Sequence, residues 1–237
     1  MQRHLAWLAL GLAACGHFAH PGDPTDTAAP GGHALTDLLD HSVNAASATV
    51  DATPDGLGLV LQTEEGAALV GGFHGLGTGN KSIAGVPGFD GLWVSDLDEI
   101  TFEMKHLAGP WEPYLNVQVD LHCDGSELKI LVVESPEAID AGDGWSRRTV
   151  TPGHALWRAV GGLGDHLAGH LEPEGATLEA MLDAYPHACL IDADTGDGGM
   201  PVDRVTSSVL LIVGDSNNDT ESEVLVRAVR VNHALFD

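Results

Sequence analysis

The 237-residue chain predicts an all-β fold, an antiparallel β-sandwich with one short helix in a connection. Three observations predict it. Apolar residues recur at every second position in several short stretches, the period of a strand with one buried and one polar face. Thirty glycines and twelve prolines separate those stretches with turn residues. One segment alone carries a clean helical period, so helices cannot form a layer of their own.

In chain order, Leu57, Leu59 and Leu61 share one face of an early strand, and a short helix is expected over 35–41. Ile100, Phe102 and Met104 alternate with Glu99, Thr101, Glu103 and Lys105. Leu115, Val117, Val119, Leu121 and Cys123 alternate with Tyr114, Asn116, Gln118, Asp120 and His122. The shared parity places the Cys123 sulfur on the core side. Further strands are expected at 128–133, 188–192, 205–213 and 223–231. Residues 209–213 (VLLIV) are apolar on both parities and predict a central strand covered on both sides. The parity slips at Arg227-Ala228, which predicts a bulge. Thr177 is placed to cap a helix in which Leu178, Met181, Leu182 and Tyr185 follow helical spacing, and Pro186 ends it.

Ten Lys plus Arg stand against 35 Asp plus Glu, a formal charge of −25. Such a field repels phosphate backbones and speaks against nucleic acid as a partner. It equally disfavours adhesion to anionic lipid through a basic patch. No stretch reaches the ~20 apolar residues of a membrane-crossing helix.

The apolar run from Leu5 to Cys15 has the length of a signal h-region, behind a basic start of Arg3 and His4. Its end, Leu12-Ala13-Ala14-Cys15, resembles the bacterial lipobox. The resemblance implies cleavage after residue 14, a lipidated Cys15, and attachment to a membrane through N-terminal acyl chains. Residue 16 is Gly rather than Asp, which in that family favours the outer membrane. Residues 15–36 are Pro, Gly, Ala, Asp and Thr without apolar period, a flexible acidic tether. Residues 37–237 form a single sandwich domain. With Cys15 acylated, Cys123 and Cys189 remain as a possible disulfide in an oxidising compartment.

The strand pattern, together with SDLDEITFEMK over 95–105 and SSVLLIVGDSNND over 207–219, resembles the jelly-roll, lectin-like sandwiches of secreted bacterial proteins. Within it, Glu99-Ile-Thr-Phe-Glu103 is similar to the E-x-D-x-E strand of laminarinase- and lichenase-like glycosidases. That likeness implies a nucleophile and an acid on one strand face, although Thr101 stands where the family has Asp. Residues 209–216 (VLLIVGDS) are similar to the opening of GDSL-type esterases, but no Asp-x-x-His pair follows Ser216. His166 and His170 have zinc spacing in a Gly-rich segment that lacks the metalloprotease Glu. Calcium is the better metal candidate, with Asp192, Asp194 and Asp197 in one loop and Asp215, Asn217 and Asp219 in another. The same residues also suit ordinary turns. No other cofactor is expected.

The polar face of Tyr114, Asn116, Gln118, Asp120 and His122 offers a ring, amides, a carboxylate and an imidazole, the groups that bind sugar hydroxyls. Set in a concave face with Glu99 and Glu103, it is the leading ligand site. Three readings stay open. They are a tethered sandwich that binds a glycan without catalysis, a polysaccharide-active enzyme using Glu99 and Glu103, and an envelope interaction protein with no small ligand.

The anchor is tested directly. Wild-type protein should carry acyl mass on Cys15 and pellet with membranes, and Cys15→Ala should shift to the soluble fraction. A membrane-bound Cys15→Ala protein would contradict it.

Overall fold

In the computed structural model the described residues are 32–42, 46–54, 56–65, 80–125, 127–133, 137–153, 155, 157–159, 176–192, 207–214 and 220–237. They form two seven-stranded antiparallel sheets. The strands are β1 (Leu39–Asp40), β2 (Ser47–Thr53), β3 (Gly56–Thr63), β4 (Ser82–Val86), β5 (Ile100–Ala108), β6 (Tyr114–Asp120) and β7 (Leu128–Val133). They continue as β8 (Glu137–Gly142), β9 (Trp145–Val150), β10 (Trp157–Ala159), β11 (Cys189–Leu190), β12 (Val209–Val213), β13 (Ser222–Val231) and β14 (Ala234–Phe236). The first sheet runs β1-β4-β12-β6-β7-β10, with β11 also on β6. The second runs β2-β3-β13-β5-β9-β8, with β14 also on β13. The one α-helix among the described residues, α1 (Leu178–Leu182), lies in the connection between β10 and β11.

The alternating residues behave as their period requires. Leu59, Leu61, Ile100, Phe102, Met104, Val224 and Val226 point inward from the second sheet, against Ala84, Val86, Leu115, Val117, Leu131 and Leu211 from the first. All belong to one continuous core, and Leu178 and Met181 of α1 join it. Burying each such side chain contributes roughly 1.5–3 kcal/mol, so the inner faces hold the sheets together. Strand β12 is buried at every position, as a run apolar on both parities demands.

Several boundaries differ from the sequence pattern. The helix expected over 35–41 is a 3-10 turn, Leu35–Asp37, whose Asp37 carboxylate accepts from the Ala34 amide at 2.9 Å. The chain then extends so that Leu39 and Asp40 pair with β4. Leu35 lies in the core and His33 bridges Phe236, so packing reaches back to residues assigned to the tether. The strand expected over 188–192 shortens to β11, where Leu190 exchanges backbone hydrogen bonds with Gly91 and Leu92. Strand β6 ends at Asp120 rather than continuing to Cys123, because the Asp120 carboxylate accepts from the amides of His122, Asp124 and Gly125 and curls the chain into a turn. Cys123 therefore sits in that turn with φ 54°, half-buried rather than on the inner sheet face. The bulge expected near Ala228 is present. Pairing between β13 and β5 jumps from Arg227↔Glu103 to Arg230↔Thr101, and Ala228 has φ 48°. Among the described residues no helix is long and apolar enough to cross a membrane.

Cys123 and Cys189 form a disulfide that closes a separation of 66 residues, fastening the turn after β6 to β11. Loop closure of that length stabilises by about 4 kcal/mol. Reduction, or Cys123→Ala with Cys189→Ala, should lower unfolding free energy by an amount of this order in denaturant titration. An unchanged midpoint would contradict the bond's structural role.

Candidate functional site

The polar residues expected to share one concave face divide between the two outer faces of the sandwich. Tyr114, Asn116, Gln118 and Asp120 project outward from the first sheet, since their neighbours Leu115, Val117 and Val119 project inward. Glu103 projects outward from the second sheet, opposite in sense to Phe102 and Met104. The two sets cannot line one groove.

The outer face of the first sheet is largely closed. Asn116, Gln118 and Asp120 are buried, at 5%, 2% and 0% exposure. Gln118 stitches the junction between β11 and β12. Its amide donates to the Ser208 carbonyl, its carbonyl accepts from the Ile191 amide, and its side-chain Nε2 donates to the Ser207 carbonyl at 2.8 Å. Asp120 is committed to the turn amides. Tyr114 packs on a small apolar cluster of Ile83, Leu210 and Ile212. Farther along this face Gly85 leaves room for chain crossing above it, since a Cβ there would meet Ser207 Oγ and the His41 ring. Burial lowers the His41 pKa against the opposing charge of Asp40. Only His122 is well exposed, and it lies 3.3 Å from Glu127. Gln118 and Asp120 organise backbone, whereas the buried Asn116 Oδ1 has no hydrogen-bond partner among the described residues. The alternation is real, but on this face it leads to buried side chains, of which Gln118 bonds the neighbouring segments and Asp120 its own turn.

The outer face of the second sheet is different. Strands β5, β9, β8 and β13 with β14 present an open groove of 440 Å³, whose lining includes Glu99, Thr101, Glu103, Arg147, Thr149 and Arg230, with Ile139 and Leu235 at its apolar positions. Glu99 and Glu103 thus do enter one groove, with Thr101 between them. The floor is a cross-strand row in which Arg227 pairs with Glu103 and Glu103 with Arg147. Arg147 Nη2 donates to Glu103 Oε1 at 2.7 Å, and Arg227 Nε donates to Oε2 at 3.0 Å. The Arg227 guanidinium lies 3.9 Å above the centre of the Trp145 ring, with Lys105 Nζ at 5.9 Å from the same ring. Such stacking holds a guanidinium in one orientation. Trp145 is itself 3% exposed.

Burial alone would raise the Glu103 pKa. The hydrogen bonds and charges of Arg147 and Arg227 outweigh it and hold the carboxyl below its ordinary value. Glu103 is therefore an ionised organiser of two cations, the opposite of a general acid, which needs a raised pKa.

Sequence reasoning missed Arg147, Arg227, Arg230 and Thr149. Their signal was present. Trp145, Arg147 and Thr149 alternate like a strand, and the Arg227-Ala228 slip marks the bulge that sets Arg230 beside Thr101.

Of the calcium candidates, Asp194, Asp197, Asp215, Asn217 and Asp219 lie outside the described residues, as do Cys15, Ser216, His166 and His170. Asp192 is described. Burial, and then the nearby Asp90 carboxylate, push its pKa up to about 6 against opposing hydrogen bonds from Ser208. Its amide donates to Asp90 Oδ1 at 3.0 Å. Among the described residues no three acidic, His or Cys side chains gather as a metal site.

Two pH dependences follow. A carboxyl held below its unfolded pKa contributes stability above that pKa and loses it as pH falls through the folded value. Glu103→Gln should therefore lower stability at neutral pH by about 2 kcal/mol, and the deficit should narrow on acidification. Asp192 has the reverse sign, because its charged form is disfavoured in the fold above pH about 6. Asp192→Asn should stabilise by about 1 kcal/mol near neutral pH, after discounting for solvent screening, with no gain in acid. Melting curves across pH check both.

No protein-family model matches the chain, and no curated protein matches it. Among solved structures it is similar to the family 11 carbohydrate-binding module from Clostridium thermocellum, determined in complex with a β-1,3-1,4-mixed-linked tetrasaccharide. The identity is 13%, the match covers 84% of this chain and 91% of that one, and the TM-score is 0.42. A likeness this distant carries no argument about ligand, and the site rests on its own geometry.

Proposed function

We propose that the protein is an exported lipoprotein, tethered through Cys15, whose sandwich binds an extracellular glycan without catalysis in the groove on the second sheet. One observation carries the binding reading. Hydroxyl, carboxylate and guanidinium groups from three adjacent strands converge on an open groove, and Glu103 locks two of the guanidiniums in place. A sugar chain presents rows of hydroxyls that both donate and accept, and such mixed, fixed partners match them. Side chains on paired strands lose little further freedom on binding, which reduces the ordering cost. The disulfide supports export, since such bonds persist in oxidising compartments.

The enzyme reading draws on Glu99 and Glu103 sharing the groove. Against it, a glycosidase acid must hold a proton near neutral pH, and the two arginines oppose that at Glu103.

Affinity electrophoresis through gels containing single polysaccharides, with reducing-sugar assays alongside, tests the proposal. Wild type should be retarded by at least one polysaccharide without releasing sugar. Arg147→Ala should weaken retardation about tenfold, the scale of one charge-assisted hydrogen bond. Turnover abolished by Glu99→Gln or Glu103→Gln would overturn the non-catalytic reading.

A further inference from the structure

We infer that the groove on the second sheet takes an acidic glycan, one carrying carboxylate groups of the uronic-acid kind. The inference rests on the glycan-binding reading above and deepens it. It starts from the distribution of scarce charge. The chain has ten Lys and Arg against a net charge of −25. Four of those ten, Lys105, Arg147, Arg227 and Arg230, project from this one sheet face. Glu99 and Glu103 are the two carboxylates lining the groove, and Asp51 lies farther along the same row, beyond Gly58. The described lining thus balances Glu99 and Glu103 with Arg147 and Arg230, and Arg227 and Lys105 on the same face add cationic charge beside it, in a molecule whose overall field repels anions.

The hydrogen-bond inventory sharpens this. Arg147 and Arg227 each meet Glu103 through one nitrogen, Nη2 in the first and Nε in the second. A guanidinium carries five N–H donors, so both retain donors, and the Arg147 side chain is 57% exposed. The Arg230 guanidinium lines the groove and makes no hydrogen bond or ion pair among the described residues. One carboxylate needs one arginine for a bidentate pair. Here a single Glu103 aligns two, and Arg230 lines the same groove with no side-chain partner among the described residues. That surplus suits an incoming carboxylate, the planar partner that guanidinium recognises best.

Apolar chemistry points the same way. Binding of neutral sugars draws heavily on stacking of the ring against an exposed aromatic platform. Among the described residues this groove presents no exposed aromatic ring. Phe102 is fully buried on the inner side, and Trp145 is covered by Arg227. Ile139 and Leu235 offer small apolar contacts. Without a stacking platform, charge-assisted hydrogen bonds are the strong interactions the groove can supply. Glu99, Thr101 and Thr149 remain for hydroxyls.

Calorimetry at about 0.15 M salt, where a Debye length of ~8 Å screens the general acidic surface, tests the inference. The probes are oligogalacturonate and oligomannuronate, each against its carboxyl-reduced form, with mixed-linkage glucan oligosaccharides as the neutral control. At least one acidic oligosaccharide should bind about tenfold or more tighter than its reduced form. Arg230→Ala should remove most of that preference, and Arg230→Lys should keep part of it. Thermal melts of both variants verify folding. Equal or tighter binding of the reduced forms or of the glucans would overturn the acidic preference and leave the glycan reading standing. Binding of no probe, acidic or neutral, by the folded protein would overturn both.

Discussion

Two antiparallel sheets with alternating faces can seal their apolar sides only against each other, and that constraint decides which side chains remain for anything else. Phe102, Met104, Leu115, Val117 and Leu211 lie in the shared core, so Glu103 and Asn116 must point away from it on opposite sides of the molecule. Every later feature of the site inherits this division. Two outward faces exist, and the chain treats them differently. On the first sheet, Gln118, Ser207, His41 and the Asp120 turn close the surface with hydrogen bonds and chain crossings. On the second, the face stays open, with a salt-bridged floor.

The floor is economical in its connections. Glu103 is held by Arg147 and Arg227, and Arg227 rests on Trp145. Neighbouring β-strands set the register that brings these residues into one row, and the bulge at Ala228 then places Arg230 beside Thr101. A salt bridge at an exposed surface contributes little to stability. Glu103 is only 11% exposed and meets two partners fixed by pairing and stacking, so it contributes to stability as well as orienting both guanidiniums.

Much of the fold was legible in the sequence because alternation reports burial directly. The parities of Ile100–Phe102–Met104 and Leu115–Val117–Val119, the doubly apolar β12, the short helix and the bulge at Ala228 all follow from local pattern. Strand β9 was only partly legible, since Trp145, Arg147 and Thr149 alternate but WSRRTV carries charge at adjacent positions. Arg147 turns outward to Glu103, while its neighbour Arg148 reaches Glu112 at 2.9 Å. The candidate site was half legible. Glu99 and Glu103 were found by their spacing, although Glu99 falls just before β5, but the partners of Glu103 come from β9 and β13, and pairing across such distances leaves no local trace. The polar parity of β6 misled for a physical reason. Alternation shows which residues avoid the core, and it cannot show that Ser207, Ser208 and Ile191 bond Gln118 from above.

If the proposed groove is the binding surface, a ligand must meet the outer face of β5, β9 and β13, with Glu103 and its arginines as the floor. Amide chemical-shift mapping during titration with whichever oligosaccharide binds tests this most directly. The largest shifts should fall on Thr101, Glu103, Arg147, Thr149 and Arg230, with Asn116 and Gln118 unmoved. Shifts centred on β6 and its turn, with the β5–β9–β13 face silent, would contradict it.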